Sequence, residues 1–179
     1  LVLVPNKNTL LDDPDKIEYL NEKCKNKFLP NIFTYGSATR NLDGLKISEL
    51  GLMSRIGAKG FTDGVNCIQD SLVMRRIMSY AAMFEKPVIQ HPEDRSLAGL
   101  TEASSTSIKG EMNESETSTR LGLMGIPSCA EVIIIERDLR LAKLTRSHYH
   151  VSNISTKESL EAIKKGKEEG VKITCDTSP

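Results

Sequence analysis

Three polar side chains close short apolar runs in this chain: Asp63 in Gly60-Phe-Thr-Asp63, His91 in Lys86-Pro-Val-Ile-Gln-His91, and Asn153 in His150-Val-Ser-Asn-Ile-Ser-Thr156. A short apolar run ending in a polar residue is how a buried strand hands over to its loop, and α/β folds keep their chemistry at that loop end. A carboxylate and an imidazole suit a divalent cation such as zinc, whereas an amide oxygen is a poor zinc ligand beside an imidazole nitrogen. The residue types point to a metal centre with a weakened position. Asn6 follows Pro5 after the opening apolar run, and as a loop amide it suits either a turn or a ligand contact.

The elements that must position these residues alternate strand and helix. Residues 1–4 read as a strand, and Asp13-Pro14 starts a helix with an acidic N-cap and proline in its first position, placing Ile17, Leu20 and Cys24 on one face. Residues 31–38 form a second strand, 48–55 a helix closed by Gly57, and 58–62 a third strand. A helix from Asp70 buries Val73, Ile77, Tyr80 and Ala81 at helical spacing, and 86–91 form the fourth strand. A long helix over 129–144 carries Val132, Ile133, Leu139 and Leu141, and 149–154 form the fifth strand. Ser155-Thr-Lys-Glu158 is a capping box for a helix ending at Gly170, before a sixth strand over 171–175. Six strands with intervening crossovers predict an α/β fold with a parallel sheet. The first run has no polar lead-in and Pro179 follows soon after the last, so both ends read as cut.

With 179 residues, 39% of them hydrophobic, the chain is one domain's worth of sequence and has a core to bury. Lys and Arg number 24, as do Asp and Glu, which gives no electrostatic reason to expect nucleic acid or an anionic membrane as partner. Cys24, Cys67, Cys129 and Cys175 form no C-x-x-C pair, so neither a thiolate zinc site nor a disulfide framework is expected and a reducing cytoplasm is the natural setting. No apolar run approaches the roughly 18 residues that span a bilayer. The stretch between His91 and Pro127 breaks the alternation. It is rich in Ser, Thr, Glu and Gly, too polar for a wall helix, and residues 98–111 within it read as a surface insertion in a single domain spanning 1–179.

Several motifs, in order along the whole chain, resemble the dihydroorotase family of the amidohydrolase superfamily. They include Val4-Pro-Asn-Lys-Asn8, Gly60-Phe-Thr-Asp63, Asp70-Ser-Leu-Val-Met-Arg-Arg76, Gln90-His-Pro-Glu-Asp94, Arg120-Leu-Gly-Leu-Met-Gly-Ile-Pro127, Ala130-Glu131, Arg137-Asp138 and Ile154-Ser-Thr156. The resemblance implies an incomplete (β/α)8 TIM-type barrel of the metal-dependent hydrolase kind, with strands two to seven supplied here. Dihydroorotases reversibly close carbamoyl aspartate into dihydroorotate in pyrimidine synthesis, using one or two zinc ions to polarise an amide carbonyl and lower the pKa of a water. The family's ligands are an H-x-H pair after the first strand, a carboxylate after the fourth, and single histidines after the fifth and sixth. An aspartate after the eighth strand is the general base, so no catalytic residue is expected within this chain.

The resemblance places His91 at the fifth-strand ligand position, where a plain strand-end histidine is the bland alternative. Where the family carries F-[ST]-D-D-G this chain reads Phe61-Thr-Asp-Gly-Val65, which puts Gly64 at the ligand position. Asp63 stands one residue off and replaces that ligand only if the backbone bulges. Where the family carries H-x-x-H-[VI]-S-T, Asn153 stands in place of the histidine. His150 is then expected to face away, under the outer helices, and His148 to be exposed. Asn6 aligns with the family residue that holds the substrate's carboxylate side, and Asp176 with an acidic position after the seventh strand.

Two functions follow. One is a dihydroorotase-like protein of pyrimidine biosynthesis with a degenerate metal site, weakly active or non-catalytic, oligomeric, and a partner of aspartate transcarbamoylase. The other is an active zinc-dependent dihydroorotase that opens a cyclic amide. An allantoinase or hydantoinase fits less well, because hydantoinases use a carbamylated lysine after the fourth strand and neither Asp63 nor Gly64 is one.

Overall fold

Asp13 starts the first helix as its sequence suggests: its carboxylate accepts the Asp15 N–H at 2.9 Å, and Pro14 gives up an N–H that would have had no partner there. The computed structural model describes residues 1–25, 30–100 and 109–178. In chain order the elements are β1 (Val2–Leu3), α1 (Pro14–Lys25), β2 (Phe33–Thr34), β3 (Gly36–Ser37), α2 (Leu50–Arg55), β4 (Phe61–Thr62), α3 (Ser71–Ala82) and β5 (Val88–Gln90). They continue with β6 (Met112–Asn113), α4 (Glu116–Leu121), β7 (Gly125–Ile126), α5 (Cys129–Thr145), β8 (Tyr149–Val151), α6 (Lys157–Glu168) and β9 (Ile173–Cys175).

Every strand pairing is parallel, as the alternation predicts. The predicted second strand is broken at Tyr35, where the pairing partner changes. The Tyr35 N–H bonds to the Leu3 carbonyl at 3.0 Å, while the Gly36 N–H turns to the Gly60 carbonyl on the other side at 3.0 Å. Beyond that break the order runs β3-β4-β5-β8-β9. Alternation along the strands puts Phe61, Val88, Tyr149 and Val151, all fully buried, on the face under the helices. Thr62, Ile89 and His150 point to the opposite face. Helices α3, α5 and α6 pack in succession on the outer side, with Met74, Ile77, Ile135, Ala142 and Ile163 in the core.

Helix α5 buries the face carrying Ile134, Ile135, Asp138 and Ala142 and leaves Ile133 half exposed. Two expectations need correction. The cap of α6 is Thr156, which accepts the Ser159 N–H at 3.2 Å, so Ser155 is free for a different bond. The polar stretch before Pro127 is not plain loop. Ser115 and Ser118 cap α4 reciprocally, Gly122 closes it at φ 68°, and β6 pairs with β7 on either side. Of the expected insertion over 98–111, residues 101–108 lie outside the described residues, but Ala98 and Gly110 are buried and joined by a 3.0 Å backbone bond. Among the described residues no helix is long and apolar enough to cross a membrane.

The helix layer is tied to the sheet by one buried carboxylate. Asp138, fully buried on α5, accepts from Gln90 Nε2 at 2.7 Å, the Tyr149 hydroxyl at 3.0 Å and Arg137 Nε at 2.8 Å. Burial pushes its carboxyl up, against the pull of Arg137, Tyr149 and Gln90. The Arg137 guanidinium also donates to the Gln69 carbonyl at 2.6 Å and the Ile68 carbonyl at 2.8 Å. Removing the acceptor strands the buried Gln90 and Tyr149 donors and leaves the part-buried Arg137 without its counter-charge, so Asp138→Ala should cost about 3–5 kcal/mol in urea unfolding. A loss below about 1 kcal/mol would contradict the tie.

The flanks of the sheet predict self-association. Leu1, Val2, Val4 and Phe33 are exposed at one edge, and Ile173–Cys175 is the last strand at the other. The 179-residue chain expressed alone should sediment as mixed oligomers; a monodisperse, cooperatively melting monomer would contradict this.

Candidate active site

The carboxyl ends of the strands open into a cavity of about 680 Å³. Its walls include Pro5 and Asn6 after β1, Tyr35, Asp63 and Gly64 after β4, Ile89 of β5, His150 of β8, Asn153, and Asp176 after β9. A second groove, of about 510 Å³ between α5 and α6, is lined by helix-surface residues that include Glu136, Arg140, Lys143, Lys165 and Glu169 and by none of Asp63, His91 or Asn153.

Asp63 continues β4 and turns its carboxylate to Thr39. One oxygen accepts the Thr39 N–H at 2.8 Å, and the other accepts the Thr39 hydroxyl. Both residues are buried, and burial pushes the Asp63 carboxyl up to about 6, against the hydrogen bonds from Thr39. Gly64 follows at φ 66°, a left-handed conformation that side chains rarely adopt, and a Cβ there would lie 2.6 Å from the Pro5 carbonyl oxygen. The chain is therefore shaped for glycine at the position where the motif puts a ligand.

His91 sits in a separate chamber of about 200 Å³ with Glu93, Met112, Asn113, Ile126, Glu131 and Ser155. Its Nδ1 is buried and has no hydrogen-bond partner among the described residues. Asn153 lines both this chamber and the central cavity, so it stands between His91 and Asp63. Its backbone lies at φ 58°, its N–H donates to Asp176 Oδ1 at 2.6 Å, and its side-chain oxygen accepts from the Ser178 hydroxyl at 3.1 Å. Asn153 thus shares one wall with His91 and another with Asp63, while Asp63 and His91 line different cavities. Among the described residues no three His, Cys, Asp or Glu side chains are placed to hold a metal ion. The residues present do not fit a zinc centre on their own.

Asn6 forms a tight turn, its side-chain oxygen accepting the N–H groups of Asn8 at 2.9 Å and Thr9 at 3.0 Å. Only its amide nitrogen remains to face the cavity.

His150 was expected under the outer helices and is instead on the cavity wall. Counting three residues back from Asn153 misleads because Asn153 has already left the strand in a left-handed conformation. Its Nε2 contacts Asp176 Oδ2 at 2.9 Å and its Nδ1 contacts the Thr174 hydroxyl at 2.8 Å. Asp176 is pushed up by burial, but bonds from the Asn153 N–H, His150 and Ser152 outweigh this and hold it below the usual carboxylate range. His150 thus bridges Asp176 and Thr174 on the cavity wall. His148 is half-buried, not exposed, and contacts the same Thr174 hydroxyl at 3.1 Å. Strand alternation from Tyr149 was the signal that would have placed His150 inward.

A folded pKa raised from 3.8 to about 6 means that Asp63 stabilises the fold when protonated, and that this contribution is fully present below pH 3.8 and lost as pH rises through 6. Asp63→Asn keeps an acceptor for Thr39 without the charge. Its stability relative to the parent should rise by up to about 3 kcal/mol between pH 4 and 7. A difference that stays flat across that range in urea titrations would contradict the buried, charge-averse environment.

The Dihydro-orotase-like family model matches residues 2–159. A dihydroorotase of Endomicrobium trichonymphae is 37% identical over 176 residues, covering 98% of this chain and 40% of that protein. One of Acetivibrio thermocellus is 34% identical over 179 residues, covering 100% and 40%. Among solved structures, L-hydantoinase from Arthrobacter aurescens superposes with a TM-score of 0.71 at 17% identity, over 99% of this chain and 39% of that one. The chain spans about 40% of the length of the curated relatives it matches. The strand order and this superposition make the fold a partial amidohydrolase barrel, and the chain belongs to the dihydroorotase-like family.

Proposed function

We propose that this chain supplies strands two to seven of an eight-stranded barrel in a cytoplasmic, oligomeric, dihydroorotase-like protein of pyrimidine biosynthesis whose metal centre is degenerate. The observation that carries this reading is the state of the fourth-strand position. Asp63 is hydrogen-bonded to Thr39, and Gly64 has a left-handed φ and lies where a Cβ would come within 2.6 Å of the Pro5 carbonyl oxygen. Asn153, at the sixth-strand position, offers an amide where the family's pattern has an imidazole. One histidine, His91, does not hold catalytic zinc, which takes about three protein ligands. The protein then serves as a weakly active or non-catalytic partner, and aspartate transcarbamoylase, the neighbouring activity in the same synthesis, is the partner proposed.

One observation favours the alternative of an active zinc-dependent dihydroorotase. The buried, unpartnered Nδ1 of His91 is the condition of an imidazole that has a ligand to hold. In that reading His91 would hold zinc together with an H-x-H pair outside this chain, and bound zinc would polarise the amide carbonyl. The Asn6 amide nitrogen would donate to a substrate carboxylate. His150 and Asp176 would keep the cavity wall polar, with Asp176 ionised.

Hydrolysis of dihydroorotate by the intact protein, measured with and without added zinc, separates the two. The expected result is little or no turnover, unchanged by added zinc, together with co-elution with aspartate transcarbamoylase on gel filtration. Turnover that depends on zinc would establish the alternative, and failure to co-elute would remove the proposed partner.

A further inference from the structure

The His91 chamber has a roof made by Met112 and Ile126, which lie on the paired strands β6 and β7. These two strands are closely stitched: the Glu111 N–H bonds to the Met124 carbonyl at 3.0 Å and the Glu114 N–H to the Ile126 carbonyl at 2.8 Å. A chain of polar contacts ties the pair to the chamber wall. Glu131 sits in the first turn of α5, where the helix dipole favours a carboxylate. It accepts the Ser155 hydroxyl at 2.6 Å, the Ser155 N–H at 3.1 Å and the Thr156 N–H at 3.3 Å. The Ser155 hydroxyl has one proton, and giving it to Glu131 leaves its oxygen to accept. Asn113 Nδ2 donates to that oxygen at 3.0 Å, while the Asn113 carbonyl oxygen, at 3.4 Å, finds no proton to take. The direction of the chain is fixed: Asn113 of the roof donates to Ser155 of the wall, which donates to Glu131 of the helix.

The two halves of this chain differ in strength. Glu131 holds the 155–156 backbone through several charge-assisted bonds, so the wall stays in place. Asn113 and Ser155 are both exposed, and water competes directly for the single bond between them. Loss of that bond would leave the wall's bonds to Glu131 and the Gly110–Ala98 backbone bond in place, so an opening there would be a local event drawn from the low-stability end of the fold.

We propose that Asn113, Ser155 and Glu131 form a latch, and that the β6–β7 piece is a strap which opens and closes the His91 chamber. The latch stands on the chamber's geometry and holds whether or not zinc is bound. Diethyl pyrocarbonate acylates a neutral imidazole nitrogen, and the sequence has three histidines, so His148 and His150 are internal references for His91. In the intact protein, Asn113→Ala and Ser155→Ala should each speed modification of His91 roughly fivefold, the factor one ordinary hydrogen bond supplies. His148 and His150 should keep their rates. Asn113→Ala removes an exposed side chain, so it gives the answer even where Ser155→Ala disturbs the fold. An unchanged His91 rate in Asn113→Ala overturns the latch, and so does a rise shared equally by all three histidines, which would mean general loosening.

Discussion

The buried Asp138 carboxylate is the contact on which the layered arrangement of this chain rests. It sits on α5 and takes hydrogen bonds from Gln90 of β5 and Tyr149 of β8, while its neighbour Arg137 grips the carbonyls of Ile68 and Gln69 on the way from β4 to α3. Gln90 completes the circuit by accepting the Ile68 N–H at 3.0 Å. Two neighbouring strands, a connecting loop and a helix are thereby referenced to one carboxyl group, whose burial is offset by the donors that point at it. His91 follows Gln90 directly, so its place at the end of β5 is inherited from this network on the outer face.

The inner face obeys a different constraint. There, backbone conformation decides which side chains meet. Gly64 at φ 66° lets Pro5 approach, and Asn153 at φ 58° turns the chain so that its N–H reaches Asp176. The strand ends line a central cavity with Asp63, His150 and Asp176 and a side chamber with His91, and Asn153 lies on both walls. A metal centre needs its donors to converge on one point, and among the described residues no three His, Cys, Asp or Glu side chains do so.

Much of the fold was legible from local signals. Asp13-Pro14 and Asp70 start their helices as capping chemistry requires, and the apolar runs fall in parallel order. The family motifs located Gly64 and Asn153 as departures from the usual ligand set. What stayed hidden depended on distant partners. Nothing near Tyr35 in the sequence says that the strand changes neighbours there, and the Thr39–Asp63 pair joins residues 24 apart. Helix α4 escaped notice because it buries Ser118 in place of an apolar stripe, so its signal lies in the reciprocal serine caps. His150 was misplaced because strand alternation was counted through Asn153, past the point where the strand ends.

The claim that the donors do not converge is tested most directly by anomalous diffraction at the zinc edge from crystals of the intact protein grown with zinc. The account predicts no fully occupied site joining His91 to Asp63, with the Asp63 carboxylate still on Thr39. A full-occupancy peak about 2.1 Å from a His91 ring nitrogen and within similar reach of Asp63 would contradict it.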